Sequence, residues 1–236
     1  MKELRRLHRR RERDRSRRFL AEGEDLIAAA QRAGRPLLEG YRAAGAEIAG
    51  EGFIDVEPAA LAEVSVLGSG TRAIGVYEQR FLDAPVGPLC VYLHGVGDPG
   101  NIGTILRAAE AFGVSCVALG PGCADPHSPK AVRASMGAIF GVGLARISAV
   151  GARAVSELPG TRVALVGHQG ETLSAVASAI EPPLTLLIGA EREGLPPELV
   201  DVCEHVAHIP IRTESLNAAM AATVALYEMT NRVPIS

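Results

Sequence analysis

From residue 89 onward the chain alternates continuous apolar runs with helical stretches: the runs fall at 89–93, 115–119, 141–147, 162–166, 184–188 and 205–209. A strand that is apolar at every position, rather than at every second one, has to be covered on both faces. That pattern predicts a parallel sheet with helices on both sides, an α/β fold. Open sheets of this kind bind ligands outside the carboxyl ends of their strands, so the residues that follow each run are where chemistry is to be sought.

Residues 1–82 read differently. Apolar residues at helical spacing over 24–33, stopped by Gly34, predict a helix, and short apolar runs at 36–38, 53–56 and 73–77 complete a small α/β domain. The stretch 82–88, with two prolines and a glycine, is the expected linker, which leaves 88–236 as the second domain. Within residues 1–18, ten Lys or Arg face only Glu3, Glu12 and Asp14, a net of +7, so the rest of a chain formally at −3 carries −10. A short basic arm on an acidic body is the footprint of contact with a phosphate backbone. Arg9, Arg10, Arg11, Arg17 and Arg18 are its candidate RNA ligands, with Arg133 further along. The competing reading is a solvated helix laced with i,i+4 charge pairs.

Cys90, Cys116, Cys123 and Cys203 are scattered and form no C-x-x-C pair, so they point to buried thiols rather than to a disulfide framework or a zinc knuckle. Cys203, His205 and His208 lie close in sequence, but residues three apart on a strand face opposite sides, and no metal is expected. The absence of an apolar run of about 18 residues, together with a charged start, leads to the expectation of a soluble cytoplasmic protein without membrane contact.

Three segments carry the chemistry. Gly95-Val-Gly97-Asp-Pro-Gly100 formally matches the G-x-G-x-x-G of dinucleotide sites, but Pro99 and the following Asn101-Ile-Gly103 are expected to delay the helix, and no acidic ribose ligand follows the next strand; an NAD enzyme is the weakest reading. In Asn101-Ile-Gly103-Thr-Ile-Leu-Arg107, Asn101 can orient a hydroxyl or phosphate and Arg107 offers a rigid fork of donors. Gly189-Ala-Glu191-Arg-Glu-Gly194-Leu follows the run at 184–188 and frees backbone groups at a strand end. Ile209-Pro-Ile211-Arg-Thr-Glu-Ser215-Leu216-Asn217 opens the last helix, with Ser215 the expected N-cap and the Asn217 amide left free. Leu216, Met220, Val224 and Tyr227 then share one apolar stripe.

The order N-x-G-x-x-x-R, G-x-E-x-x-G-L and I-P…S-L-N resembles the SpoU/TrmH family of SPOUT-class RNA ribose methyltransferases over most of residues 88–236. Residues 128–140 resemble the family's segment between its first two motifs, and 18–23 the opening of its small substrate-binding domain. The loop between Pro210 and Ser215 departs from the family, being shorter and lacking its glycine. The resemblance implies transfer of a methyl group from S-adenosylmethionine to a ribose 2′-hydroxyl of rRNA or tRNA, a C-terminal trefoil knot, and a homodimer with its site at or near the interface. It places Gly167, His168, Ile188, Gly189, Gly194, Ile209, Ile211 and Leu216 at the donor, and Asn101, Arg107, Glu191, Ser215 and Asn217 in the catalytic group. Family assignments often make the arginine the proton acceptor. A guanidinium with a pKa above about 12 is a poor base, so phosphate binding and alkoxide stabilisation suit Arg107 better. A non-catalytic RNA-binding protein of the same fold is the alternative.

Overall fold

The computed structural model describes residues 1–48, 50–66 and 70–232; residues 233–236, at the end of the second expected domain, lie outside the described residues. The chain forms two compact units, one of Met1–Arg80 with Asp125–Gly141, the other of Phe81–Ala124 with Val142–Ser236. The segment Asp125–Gly141, which follows the second apolar run in sequence, thus belongs with the N-terminal residues.

The first unit is built on a mixed sheet of β1 (Arg18–Glu22), β2 (Glu39–Ala43), β3 (Phe53–Val56) and β4 (Ala73–Glu78), in the order β1-β4-β2-β3. Two of these strands differ from the sequence reading. Residues 18–22, given above as the opening of the small domain and assigned to no strand, form β1, because Phe19, Leu20 and Ala21 are all buried against the unit's core. The strand expected at 36–38 begins instead at Glu39: Pro36 has no N–H to give to a ladder. The helix Glu24–Arg32 buries Leu26, Ile27, Ala29 and Ala30. Phe19, Tyr77, Phe140 and His127 form an aromatic cluster, with Phe19 and His127 centroids 4.6 Å apart and Tyr77 edge-on to Phe140 at 4.9 Å.

The basic arm folds as two short helices, Lys2–Arg6 and Arg10–Ser16, which bury Leu4 and Arg13. Arg13 is only 3% exposed. Its Nε and Nη2 donate to Asp125 Oδ2 at 2.9 and 2.6 Å, and its Nη1 donates to the carbonyls of Leu7 and His8, each at 2.8 Å. Asp125 Oδ1 accepts the His127 N–H at 2.9 Å. Every oxygen of this buried carboxylate is therefore paired, the condition under which a buried ion pair is tolerated.

The second unit holds seven parallel strands, β5 (Leu89–Leu93), β6 (Cys116–Leu119), β7 (Gly143–Arg146), β8 (Thr161–Val166), β9 (Glu171–Thr172), β10 (Leu184–Ile188) and β11 (His205–His208), in the order β7-β6-β5-β10-β8-β11-β9. β5 and β10 are buried at every position, as double-sided coverage demands. The order matters for the site. β10 lies between β5 and β8, with Ile188 opposite Leu93 and Leu165, and β11 adjoins β8 with His208 opposite Val166. The carboxyl ends of β5, β8, β10 and β11 therefore stand side by side.

Two helices close that end. Pro99–Ala111 begins directly at Pro99, not after a delay: proline suits the first helical turn, where its missing N–H has no partner to lose, and Asp98 caps by accepting the Asn101 N–H at 3.1 Å. Ala218–Arg232 packs against it and against the helix Leu173–Ala179. The last helix buries Ala218, Ala219, Ala222, Ala225, Leu226 and Met229. The stripe expected from its sequence exists but points outward: Met220, Val224 and Tyr227 are 59, 43 and 56% exposed.

Candidate active site

A cavity of about 300 Å³ opens at the carboxyl ends of β8, β10 and β11. That is at the lower end of the roughly 300–1,000 Å³ typical of small-molecule sites. Gly167 lines it from the end of β8; Ile188, Gly189, Glu191 and Gly194 from β10 and its turn; Ile209, Ile211, Ser215 and Leu216 from the loop after β11. The glycines are required by geometry. A Cβ on Gly189 would collide with the Gly194 carbonyl, and Gly194 itself sits at φ +69° while its N–H donates to Ala190 O at 3.0 Å. The turn thus folds back on itself along the cavity.

The three sequence segments meet through side-chain amides. Asn217 Nδ2 donates to Asn101 Oδ1 at 3.1 Å, and Asn101 Nδ2 donates to Glu191 Oε1. One residue from each motif therefore enters a single hydrogen-bonded row beside the cavity. The roles of the third segment are exchanged relative to the sequence reading. Asn217, not Ser215, caps the last helix, its Oδ1 accepting from Ala219 and Met220 N–H at 3.0 and 3.3 Å. The helix starts at Ala218, so Ser215 lies too far upstream to cap, and its hydroxyl is exposed on the cavity wall.

Other expected residues are not brought in. Arg107 is exposed and absent from the cavity lining. Six residues beyond Asn101 on one helix, it is displaced by about 9 Å along the axis and turned well away around it. His168 does not line the cavity either; its Nε2 donates to Glu214 O at 3.0 Å. Conversely, Ala190, Arg192, Glu193, Glu214, Ala218 and Ala221 do line it and were missed. Ala190, Arg192 and Glu193 lie inside the glycine-bounded motif and Glu214 inside the third segment, and could have been inferred from them; Ala218 and Ala221 carry no signal of their own.

Behind β10, the His94 N–H donates to Ile188 O at 2.9 Å, and Tyr92 Oη shares a hydrogen bond with His94 Nδ1 at 3.2 Å. Burial pushes the His94 imidazole below its ordinary value, with Glu198 acting the other way, and pushes the Tyr92 phenol up to about 12.

In the first unit, the expected RNA ligands divide by partner. Arg10 lies 3.6 Å from Asp14 and Arg18 2.9 Å from Glu39. Arg9, Arg11, Arg17 and Arg133 are exposed and form no ion pair among the described residues.

Fold and cavity define an open parallel α/β protein with a glycine-walled strand-end pocket, carrying a separate small α/β unit. The SpoU rRNA methylase family model matches residues 88–227, more than half of the chain, and the chain belongs to that family. A model for the MRM3-like substrate binding domain matches residues 1–69. Among curated relatives, a 23S rRNA (uridine(2479)-2′-O)-methyltransferase of Streptomyces viridochromogenes is 36% identical over 140 residues, covering 55% of this chain and 48% of its own. A 23S rRNA (guanosine-2′-O-)-methyltransferase of Vibrio parahaemolyticus is 31% identical, covering 60 and 58%. The chain thus spans about half the length of the curated relatives it matches. Solved structures match along the whole chain: an AdoMet-bound rRNA methyltransferase from Sinorhizobium meliloti has a TM-score of 0.85 at 29% identity, covering 100% of this chain and 95% of its own. The SpoU methyltransferase AviRb from Streptomyces viridochromogenes, in complex with AdoMet, has 0.83 at 27%, covering 98 and 96%.

Proposed function

We propose that this chain transfers a methyl group from S-adenosylmethionine to a ribose 2′-hydroxyl of rRNA or tRNA, as a homodimer in the cytoplasm, where those RNAs are processed. The observation that carries the reading is the Asn217–Asn101–Glu191 row set against a glycine-walled cavity in a chain of the SpoU family. The cavity suits the donor chemically. Main chain around Gly189 meets an adenine edge, while Ile188, Ile209, Ile211 and Leu216 supply apolar walls. When bound, S-adenosylmethionine supplies an electrophilic methyl group for in-line displacement.

The residues of the chain then have to align an oxygen and manage a proton. Ser215 lines the cavity, and its hydroxyl holds the ribose. Asn101 is locked in one amide orientation by its two partners, and Glu191 fixes that orientation. Arg107 binds phosphate and stabilises the developing alkoxide rather than acting as base. Its position outside its own cavity, together with the exposed Met220, Val224 and Tyr227, supports an assembly in which this helical face meets a second copy near the site. The separate unit, with Arg9, Arg10, Arg11, Arg17, Arg18 and Arg133, is assigned to RNA capture.

Calorimetry with S-adenosylmethionine tests the donor site, and mass mapping of ribose methylation in RNA from cells with and without the gene tests the reaction. A chain that binds RNA but no donor would be the non-catalytic relative, a reading that the placement of Arg107 alone favours.

A further inference from the structure

The wall of the cavity contributed by the loop after β11 has little to hold it. Ile209, Ile211, Glu214, Ser215 and Leu216 all face the cavity, yet among the described residues the main chain of 209–216 makes no hydrogen bond to other main chain. Pro210 has no N–H to give, and Thr213 Oγ1 reaches only Ser215 O, within the loop, at 3.4 Å. Among the described residues, the polar tie from this loop to the turn after β8 is the exposed bond from His168 Nε2 to Glu214 O, at 3.0 Å. His168 follows Gly167, beside which the Glu214 carbonyl lies at ordinary contact distance.

We propose that His168 is a positioning residue for the donor, acting through the Glu214 carbonyl to hold the 209–216 wall against the cavity. The inference rests on the donor reading and deepens it. His168 stays out of contact with the donor and sets the shape of the wall that encloses it. The carbonyl can only accept, so the ring nitrogen that meets Glu214 is the donor.

The test compares the parent with His168→Ala and His168→Gln, the second keeping an amide N–H at similar reach. Calorimetry should give a Kd for S-adenosylmethionine raised about three- to ten-fold in His168→Ala, the worth of one net hydrogen bond, and largely restored in His168→Gln. KM for the donor should rise with kcat little changed, and RNA affinity should not move. Trypsin cleavage after the exposed Arg212, measured without any ligand, should accelerate in His168→Ala alone. Parent-like affinity and cleavage in His168→Ala, or a Gln variant as weak as Ala, would overturn the latch and leave the donor reading intact. A parent with no donor affinity sinks the donor reading itself, while cleavage still decides whether His168 holds the loop.

Discussion

Removing the Arg13 side chain tests how the basic arm is anchored. Arg13→Ala deletes two donors to Asp125 and two to the Leu7 and His8 carbonyls, and leaves a carboxylate with a side chain only 4% exposed without its counter-charge. Breaking one side of a buried pair costs about 3–5 kcal/mol, a large share of a total stability of about 5–15 kcal/mol. For a chain of this size each kcal/mol moves Tm by about 2–4 °C, so calorimetry should record a fall of about 6–20 °C. The pH dependence gives a second handle. Burial by itself raises the Asp125 pKa, but the Arg13 and His127 hydrogen bonds outweigh it and hold the group below the usual carboxylate range. A depressed folded pKa contributes stability above the unfolded value of about 3.9 that is lost as pH falls through the folded one. Without Arg13 the His127 hydrogen bond is left alone against the raising effect of burial, so the deficit of the variant should narrow as pH drops toward 4. Replacing both partners, as Arg13→Met with Asp125→Leu, should recover most of the loss. A Tm within about 2 °C of the parent, or a deficit independent of pH, would refute the argument.

Arg107→Lys keeps the charge and loses the planar fork; turnover should fall at least about ten-fold with donor affinity unchanged, and near-normal turnover would exclude bidentate positioning. Replacing Arg9, Arg11 and Arg17 together with Gln should weaken RNA binding and flatten its log–log salt slope by about 2 to 3, at roughly 0.7–0.9 per lost phosphate contact, without lowering Tm; an unchanged slope would return these residues to a solvated surface. Val224→Glu places a charge in the outward stripe of the last helix, and sedimentation should show a dimeric parent becoming monomeric, whereas a parent already monomeric would exclude this face as the interface.

The parallel sheet was legible because unbroken apolar runs such as 184–188 have no other stable use, and the glycine turn after it was legible because Gly189 and Gly194 tolerate no side chain there. β9, two exposed residues at the sheet edge, carries no apolar signal. β1 was hidden because Arg18 to Glu22 is short and runs straight into a helix through Gly23. The exchange of roles between Ser215 and Asn217 turned on where the last helix starts, which two good capping residues two positions apart do not decide. The outward face of that helix was invisible for another reason: an apolar stripe has the same periodicity whether it meets its own core or solvent, and here alanines do the packing. Arg13 looked like any other arginine of a dense basic run, since only the fold brings a carboxylate 112 residues away to meet it.

The first unit is assembled from two stretches, Met1–Arg80 and Asp125–Gly141, so it has no single genetic boundary. A chimera that exchanges only the first 80 residues with a relative would import a foreign arm opposite the native Asp125, and a chain truncated after residue 80 would lose the counter-ion of Arg13 altogether. Specificity transplants in this protein therefore require both stretches to be inherited together.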